Sequence, residues 1–223
     1  MRSRRERIYA ANLALSVVAF ASFAVAALTW EEGAEHDVRF VRWVHGSVPN
    51  GLVHLMRILT YLGSGLVLAP LAVAAALILV RRGLPATAAF VATALVASEA
   101  LDQALKAVFR RARPELENPF VRLTTYSFPS GHAFAATATY GALAVVLASG
   151  GPRGRRALLA AGAAVVVAVV AASRVILGVH YLLDVLAGVA GGVAVLSALL
   201  LVFGGRVSSR RRHEQPERPG LDA

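Results

Sequence analysis

The sequence predicts an all-α polytopic membrane protein, a bundle of six transmembrane helices. Three observations predict it. Apolar residues fill 57% of the 223 positions and charged residues only 16%, against roughly a quarter charged in an ordinary soluble domain. The apolar residues fall in six long runs, and the mean hydropathy is +0.62. Basic residues gather in alternate segments between those runs, the pattern that orients a polytopic chain.

A helix needs about 20 apolar residues to cross the hydrocarbon core. The six runs lie near 8–28, 65–80, 84–109, 132–148, 157–176 and 181–203. The first begins after Arg2, Arg4, Arg5 and Arg7, and Ala24-Val25-Ala26 resembles a signal-peptidase site. A signal's apolar region is only about 7–15 residues, so an uncut helix is the expectation. Cleavage would leave the orientation of the other five unchanged. The second run is short, and 52–62 before it reads as an interfacial segment. The fifth, almost unbroken over 163–170, is the plainest.

With the N-terminus inside, the inner segments hold 14 of the 23 Arg and Lys residues. They are Arg2, Arg4, Arg5, Arg7, Arg81, Arg82, Arg153, Arg155, Arg156, Arg206, Arg210, Arg211, Arg212 and Arg218. The acids there are Glu6, Glu214, Glu217 and Asp222, so the whole formal charge of +10 lies on one face. Both termini are therefore expected in the cytoplasm. Clusters this short between apolar runs suit membrane topology better than nucleic-acid binding. The expected organisation is one six-span domain, 1–206, and a disordered basic tail, 207–223, marked by Arg210–Arg212, Pro216 and Pro219. The chain has no cysteine, which excludes disulfides and thiolate metal sites.

Ionisable residues within spans are costly and point to function. Here they collect at the outer ends of runs three to six, in three segments. The first runs from Lys106 to Arg113-Pro114. Seven residues are two helical turns, which predicts a shared face for Lys106 and Arg113. Lys106 is the only lysine in the chain, and both ammonium and guanidinium serve phosphate sites. A basic helix end that snorkels to headgroups explains the segment equally well. Asp102, one turn earlier, is placed to pair with Lys106. Glu99 is on the same side and is assigned no role.

The second segment is Pro129-Ser130-Gly131-His132. Ser130 reads as the N-cap of run four. Gly131 lets an anion approach the backbone at the positive end of a helix, with His132 beside it. Alone, the tetrapeptide is as well read as a plain cap. The third segment is Ser173-Arg174-Val175-Ile176-Leu177-Gly178-Val179-His180-Tyr181-Leu182-Leu183-Asp184. His180 and Asp184 are four apart, which on a helix brings imidazole and carboxylate together; a carboxylate so placed fixes a tautomer. A buried pair joining helices is the structural alternative, but three ionisable groups in so apolar a stretch are hard to explain as packing. His36, His45 and His54 are nine apart, match no ligand spacing and read as surface or interfacial residues.

In series, Lys106-x6-Arg113-Pro114, Pro129-Ser130-Gly131-His132 and Ser173-Arg174-x5-His180-x3-Asp184 resemble the three-part signature of the type 2 phosphatidic acid phosphatase family. That superfamily includes lipid phosphate phosphatases, bacterial undecaprenyl-diphosphate and phosphatidylglycerophosphate phosphatases, glucose-6-phosphatase and the vanadium haloperoxidases. The motifs cover 106–184, and no key position departs from the pattern.

The resemblance implies a fold, a site and a reaction. His180 would be a nucleophile forming a phosphohistidine, Asp184 its orienting carboxylate and His132 the acid and then the base. Lys106, Arg113, Ser130, Gly131 and Arg174 would hold the phosphate. No metal and no cofactor are implied. The partners implied are the lipid bilayer and a lipid phosphate. The charge asymmetry puts the expected site on the outer side, and the high Ala, Val, Arg and Gly content points to a bacterial plasma membrane. Polyprenyl diphosphate, phosphatidate and phosphatidylglycerophosphate are all compatible. A lipid phosphotransferase using the same intermediate, a haloperoxidase and a non-enzymatic anion transporter are the rival readings. The sequence does not specify oligomeric state.

Overall fold

The structure, a computed structural model, describes residues 3–29, 31–116, 119–121 and 123–208. They form eight helices: α1 (Arg4–Leu28), α2 (Glu31–Ser47), α3 (Asn50–Leu59), α4 (Gly65–Arg81), α5 (Pro85–Phe109), α6 (Gly131–Ala148), α7 (Arg153–Ile176) and α8 (Leu182–Ser208). A 3-10 turn, Thr60–Gly63, joins α3 to α4. Among the described residues, six helical stretches are long and apolar enough to cross a membrane. They match the six expected runs, with one extension. The second stretch covers Asn50 to Arg81, that is α3, the 3-10 turn and α4, so segment 52–62 is helical and directly precedes the expected run.

Local chemistry sets the helix ends. Ser3 and Glu6 form a reciprocal capping box at the start of α1, with Ser3 N–H donating to Glu6 at 2.8 Å. Pro85 opens α5, where its missing N–H costs nothing. At its other end α5 stops because Arg110 adopts a left-handed conformation, φ 48°, and its N–H closes on the Lys106 carbonyl. Gly178, φ 70°, makes the tight reversal between α7 and α8. The predicted tail falls largely outside the described residues; Val207 and Ser208 still belong to α8.

The bundle packs through small residues. α6 lies against α5, α7 and α8, and α1 runs along α8. A Cβ added at Gly188 would come within 2.6 Å of the Ser130 carbonyl oxygen, and one at Gly192 within 2.5 Å of Thr137 Cβ. These glycines are four apart on one face of α8, the spacing that lets two spans touch backbone to backbone. On α6 the surface they meet is Ser130, Ala133, Phe134 and Thr137, and Ala135, Ala136, Ala138 and Ala142 are buried elsewhere around the same helix. Phe90, Phe134 and Phe203 fill the space around them.

α2 was not anticipated as an element. Its Val38, Val41 and Val44 pack with Ala133, Val175, Tyr181 and Val185, while Trp43 is exposed. It therefore rests on the bundle at the end where α5 and α7 finish and α6 and α8 begin. The start of α1 and the C-terminal end of α8 lie at the opposite end.

Candidate active site

The three segments converge at that end, but not through the helical geometry their spacings suggest. α5 ends at Phe109, so Lys106 is on the helix and Arg113 in the loop beyond it. The shared helical face is thus corrected: the left-handed Arg110 breaks the register. The loop nevertheless returns Arg113 to the group. Arg113 and Lys106 both act electrostatically on Asp102, and both act on His132 together with Arg174 and His180.

His180 also precedes its helix rather than lying on it. α8 begins at Leu182, and Asp184 is its third residue. Asp184 Oδ2 accepts from the Tyr181 N–H at 3.0 Å, the acid's half of a capping box. His180 and Asp184 do meet, with Nδ1 to Oδ2 at 3.5 Å. The contact is longer than a good hydrogen bond, because Ser127 Oγ donates to the same oxygen and lies 3.5 Å from the same Nδ1.

On the other side of the ring, Nε2 of His180 lies 3.1 Å from Nη1 of Arg113. A guanidinium can only donate, so Nε2 is the acceptor and the ring proton belongs on Nδ1, toward Ser127 and Asp184. Arg113 is fixed by its remaining donors. They reach the carbonyls of Val179 (2.5 Å), Thr125 (2.7 Å) and Tyr126 (3.1 Å) and the Thr125 hydroxyl (2.9 Å). His180 lies in the loop and is fully enclosed. Burial, helped by the Arg113 and Arg174 cations and opposed by Asp184, lowers its pKa to about 3. It is therefore a neutral imidazole.

The other expected residues surround this pair. Lys106 Nζ bonds Asp102 at 2.5 Å, as its spacing suggests. Gly131 is packed on that same carboxylate: a Cβ there would lie 2.6 Å from Asp102 Oδ2. Ser130 sits at the N-cap position of α6, yet its hydroxyl makes no cap bond, which corrects the reading of Ser130 as an ordinary cap. Its N–H instead donates to the Asp184 carbonyl at 2.9 Å, and its buried Oγ has no partner among the described residues. Arg174 donates to Thr60 at 2.7 Å and keeps a buried, unpartnered Nε. Buried donors left unpaired are costly.

His45 stacks on Phe120 with ring centroids 4.2 Å apart, and His36 pairs with Arg39 at 3.0 Å. Neither joins the cluster. A cavity of about 910 Å³ between α1, α6, α7 and α8 is lined mainly by alanine, valine and leucine and by none of the cluster's residues.

Four contributors escaped the sequence reading. Ser127 is a loop serine two residues before the tetrapeptide, with no pattern to mark it. Thr60 and Asp37 come from segments that no motif singles out, and Arg111 lies inside the first motif at a position the motif leaves open, one of three arginines in four positions. Arg111 bonds Asp184 Oδ1 at 2.5 Å and Asp37 Oδ2 at 3.0 Å.

Residues 87–208 match the family model described as the PAP2 superfamily. Phosphatidylglycerophosphatase B of Bacillus subtilis (strain 168) is 33% identical over 95 residues, 42% of this chain and 46% of that protein. The match thus spans under half the length of that relative. Among solved structures, a transmembrane PAP2-type phosphatidylglycerolphosphate phosphatase from Bacillus subtilis superposes with TM-score 0.81 at 25% identity, covering 90% of this chain and 99% of the other. LpxE of Aquifex aeolicus superposes with TM-score 0.57 at 26% identity, covering 73% and 93%. With more than half of its length matched, the three polar segments included, this chain belongs to the PAP2 superfamily.

Proposed function

We propose that the protein is an integral membrane phosphatase acting on a lipid phosphate or diphosphate through a phosphohistidine on His180. The observation that carries this reading is the pair of contacts on one imidazole. Its Nδ1 faces a carboxylate, and its Nε2 lone pair faces a fixed guanidinium at 3.1 Å. A neutral ring with the proton held on Nδ1 is a nucleophile at Nε2. The guanidinium beside it is where a phosphoryl oxygen would bind.

In the first step Nε2 attacks phosphorus in line. The N–P bond forms, the bond to the leaving oxygen breaks, and His132 gives that oxygen a proton. A phosphate dianion beside His132 favours its charged form. In the second step water attacks the phosphohistidine, His132 takes the water's proton, and the N–P bond breaks to release phosphate. Lys106, Arg113, Arg174, the Ser130 hydroxyl and the Gly131 N–H hold the equatorial oxygens, where charge must be stabilised. Asp184 keeps the Nδ1 proton in place.

The substrate is read as an amphiphile because the cluster lies at the end of a bundle of membrane spans. Phosphatidylglycerophosphate is the first lipid to assay, given the two Bacillus subtilis matches; phosphatidate and polyprenyl diphosphate follow. The one-sided basic charge supports cytoplasmic termini and a site facing out, in a six-span domain over 1–206. The decisive experiment is phosphate release from phosphatidylglycerophosphate vesicles by purified protein. Wild type should release phosphate and retain that activity in EDTA, and acid-labile, base-stable labelling should appear during turnover. His180→Ala turning over near the wild-type rate would sink the mechanism.

A further inference from the structure

We infer that Arg111, anchored by Asp37, is a positioning residue for this reaction: it occupies one oxygen of Asp184 so that the other is presented to His180. The inference rests on the reading of His180 as nucleophile.

The three side chains are buried together, at 9% exposure for Arg111, 2% for Asp37 and 0% for Asp184. The arginine bridges the two carboxylates, Nη1 to Asp184 at 2.5 Å and Nη2 to Asp37 at 3.0 Å. Its guanidinium carbon lies 4.1 Å from the centroid of the Tyr181 ring, a stacked arrangement that favours guanidinium. The division of labour on Asp184 is specific. Oδ1 takes Arg111, and Oδ2 takes Ser127 and the Tyr181 N–H and faces His180 Nδ1.

A carboxylate otherwise turns about its own axis and offers either oxygen. The bond from Arg111 Nη1 to Oδ1 opposes that rotation. An arginine held at one end would itself swing, and Asp37 holds the other. Asp37 in turn accepts from the Leu183 N–H at 3.2 Å. The peripheral helix α2 is thereby bonded to the first turn of α8, one residue from Asp184.

The charge has a second consequence. Two carboxylates share one cation here, and burying them without it would leave uncompensated like charges. A cation beside a carboxyl favours its charged form. A protonated Asp184 would donate to Nδ1 and drive the ring's own proton onto Nε2, where the lone pair must attack. Arg111 thus protects both the orientation and the tautomer of the nucleophile without touching the phosphate.

The test uses the full chain in detergent with a short-chain phosphatidate as probe, and compares Arg111→Gln, Arg111→Lys and Asp37→Asn. Arg110→Gln is the control, because the exposed Arg110 side chain bonds the Ala107 carbonyl on the surface. Arg111→Gln should lower kcat by about 10²-fold, the scale of a misplaced catalytic group, and leave KM unchanged. The acid limb of its kcat profile should move to higher pH. Arg111→Lys should recover part of the rate by restoring charge without the fork. Asp37→Asn, nearly isosteric, should cost less than Arg111→Gln in the same direction.

Wild-type kcat in Arg111→Gln and Asp37→Asn would overturn the inference. So would a loss matched by a fallen melting temperature, unrescued by lysine and without a shift of the acid limb. Activity surviving in His180→Ala would remove the nucleophile assignment and this inference with it. Inactivity there beside an unimpaired Arg111→Gln would remove this inference alone.

Discussion

Nε2 of His180 and Nη1 of Arg113 are 3.1 Å apart, and the same Nη1 donates to the carbonyl of Val179, the residue before His180. The arginine is thus braced against the backbone that carries the imidazole. It is held by four oxygens in one plane-directed fork, and a lysine offers a single mobile point charge instead. Arg113→Lys should therefore keep the net charge of the site and still lose about 10²-fold in kcat/KM. Steady-state kinetics on phosphatidate in mixed micelles measures it. A loss below threefold would mean that charge alone, not the fork, is what the site uses.

Gly131 has no room for a side chain. Its added Cβ would lie 2.6 Å from Asp102 Oδ2, the oxygen that bonds Lys106. Gly131→Ala should displace that carboxylate and with it the lysine. Phosphate affinity is the expected casualty: the inhibition constant for inorganic phosphate or orthovanadate should rise at least tenfold, with the helical circular-dichroism signal unchanged. An unaltered constant would show that Lys106 holds its place without Asp102.

His180 also predicts how stability responds to acid. Its pKa is lowered by burial to about 3, against about 6.5 in an unfolded chain. Between those values the unfolded state binds the extra proton, so stability rises with pH across the window. The neutral ring's contribution is fully present above about 6.5 and is lost as pH falls toward 3, at up to about 1.4 kcal/mol per pH unit. The melting temperature in detergent should fall between pH 6.5 and 4.5, and His180→Gln should flatten that slope. An equal slope in the variant would assign the acid sensitivity to other groups. The same value keeps the His180 ring neutral at pH 5.

Run lengths and the alternation of basic segments were enough for the six spans, because the bilayer imposes one length and one secondary structure on every crossing. Lys106 and Asp102 were legible because both lie on α5, where a separation of four residues has one meaning. Arg113, His180 and Ser130 were legible as residue types in a pattern, but their geometry was not. Arg113 lies beyond a helix end, His180 before a helix start, and the Ser130 hydroxyl leaves its cap unmade. Periodicity carries no information across such breaks.

By itself, the sequence determined what is additive along the chain: membrane character, the number of spans, the asymmetry of charge and the identity of the residues in the three segments. Only the tertiary structure decided which atom of each residue meets which. It turned Nδ1 of His180 to Asp184 and Nε2 to Arg113. It brought Ser127, Thr60 and Arg111 into the cluster, and through Arg111 it drew in Asp37 from a helix 147 positions before Asp184 in the numbering. The physical reason is that such contacts depend on helix ends and loop returns, which are fixed by packing between spans that are distant in the chain. Gly188 and Gly192 are two places where that packing is close, bringing α8 onto α6, with Asp184 against Ser130.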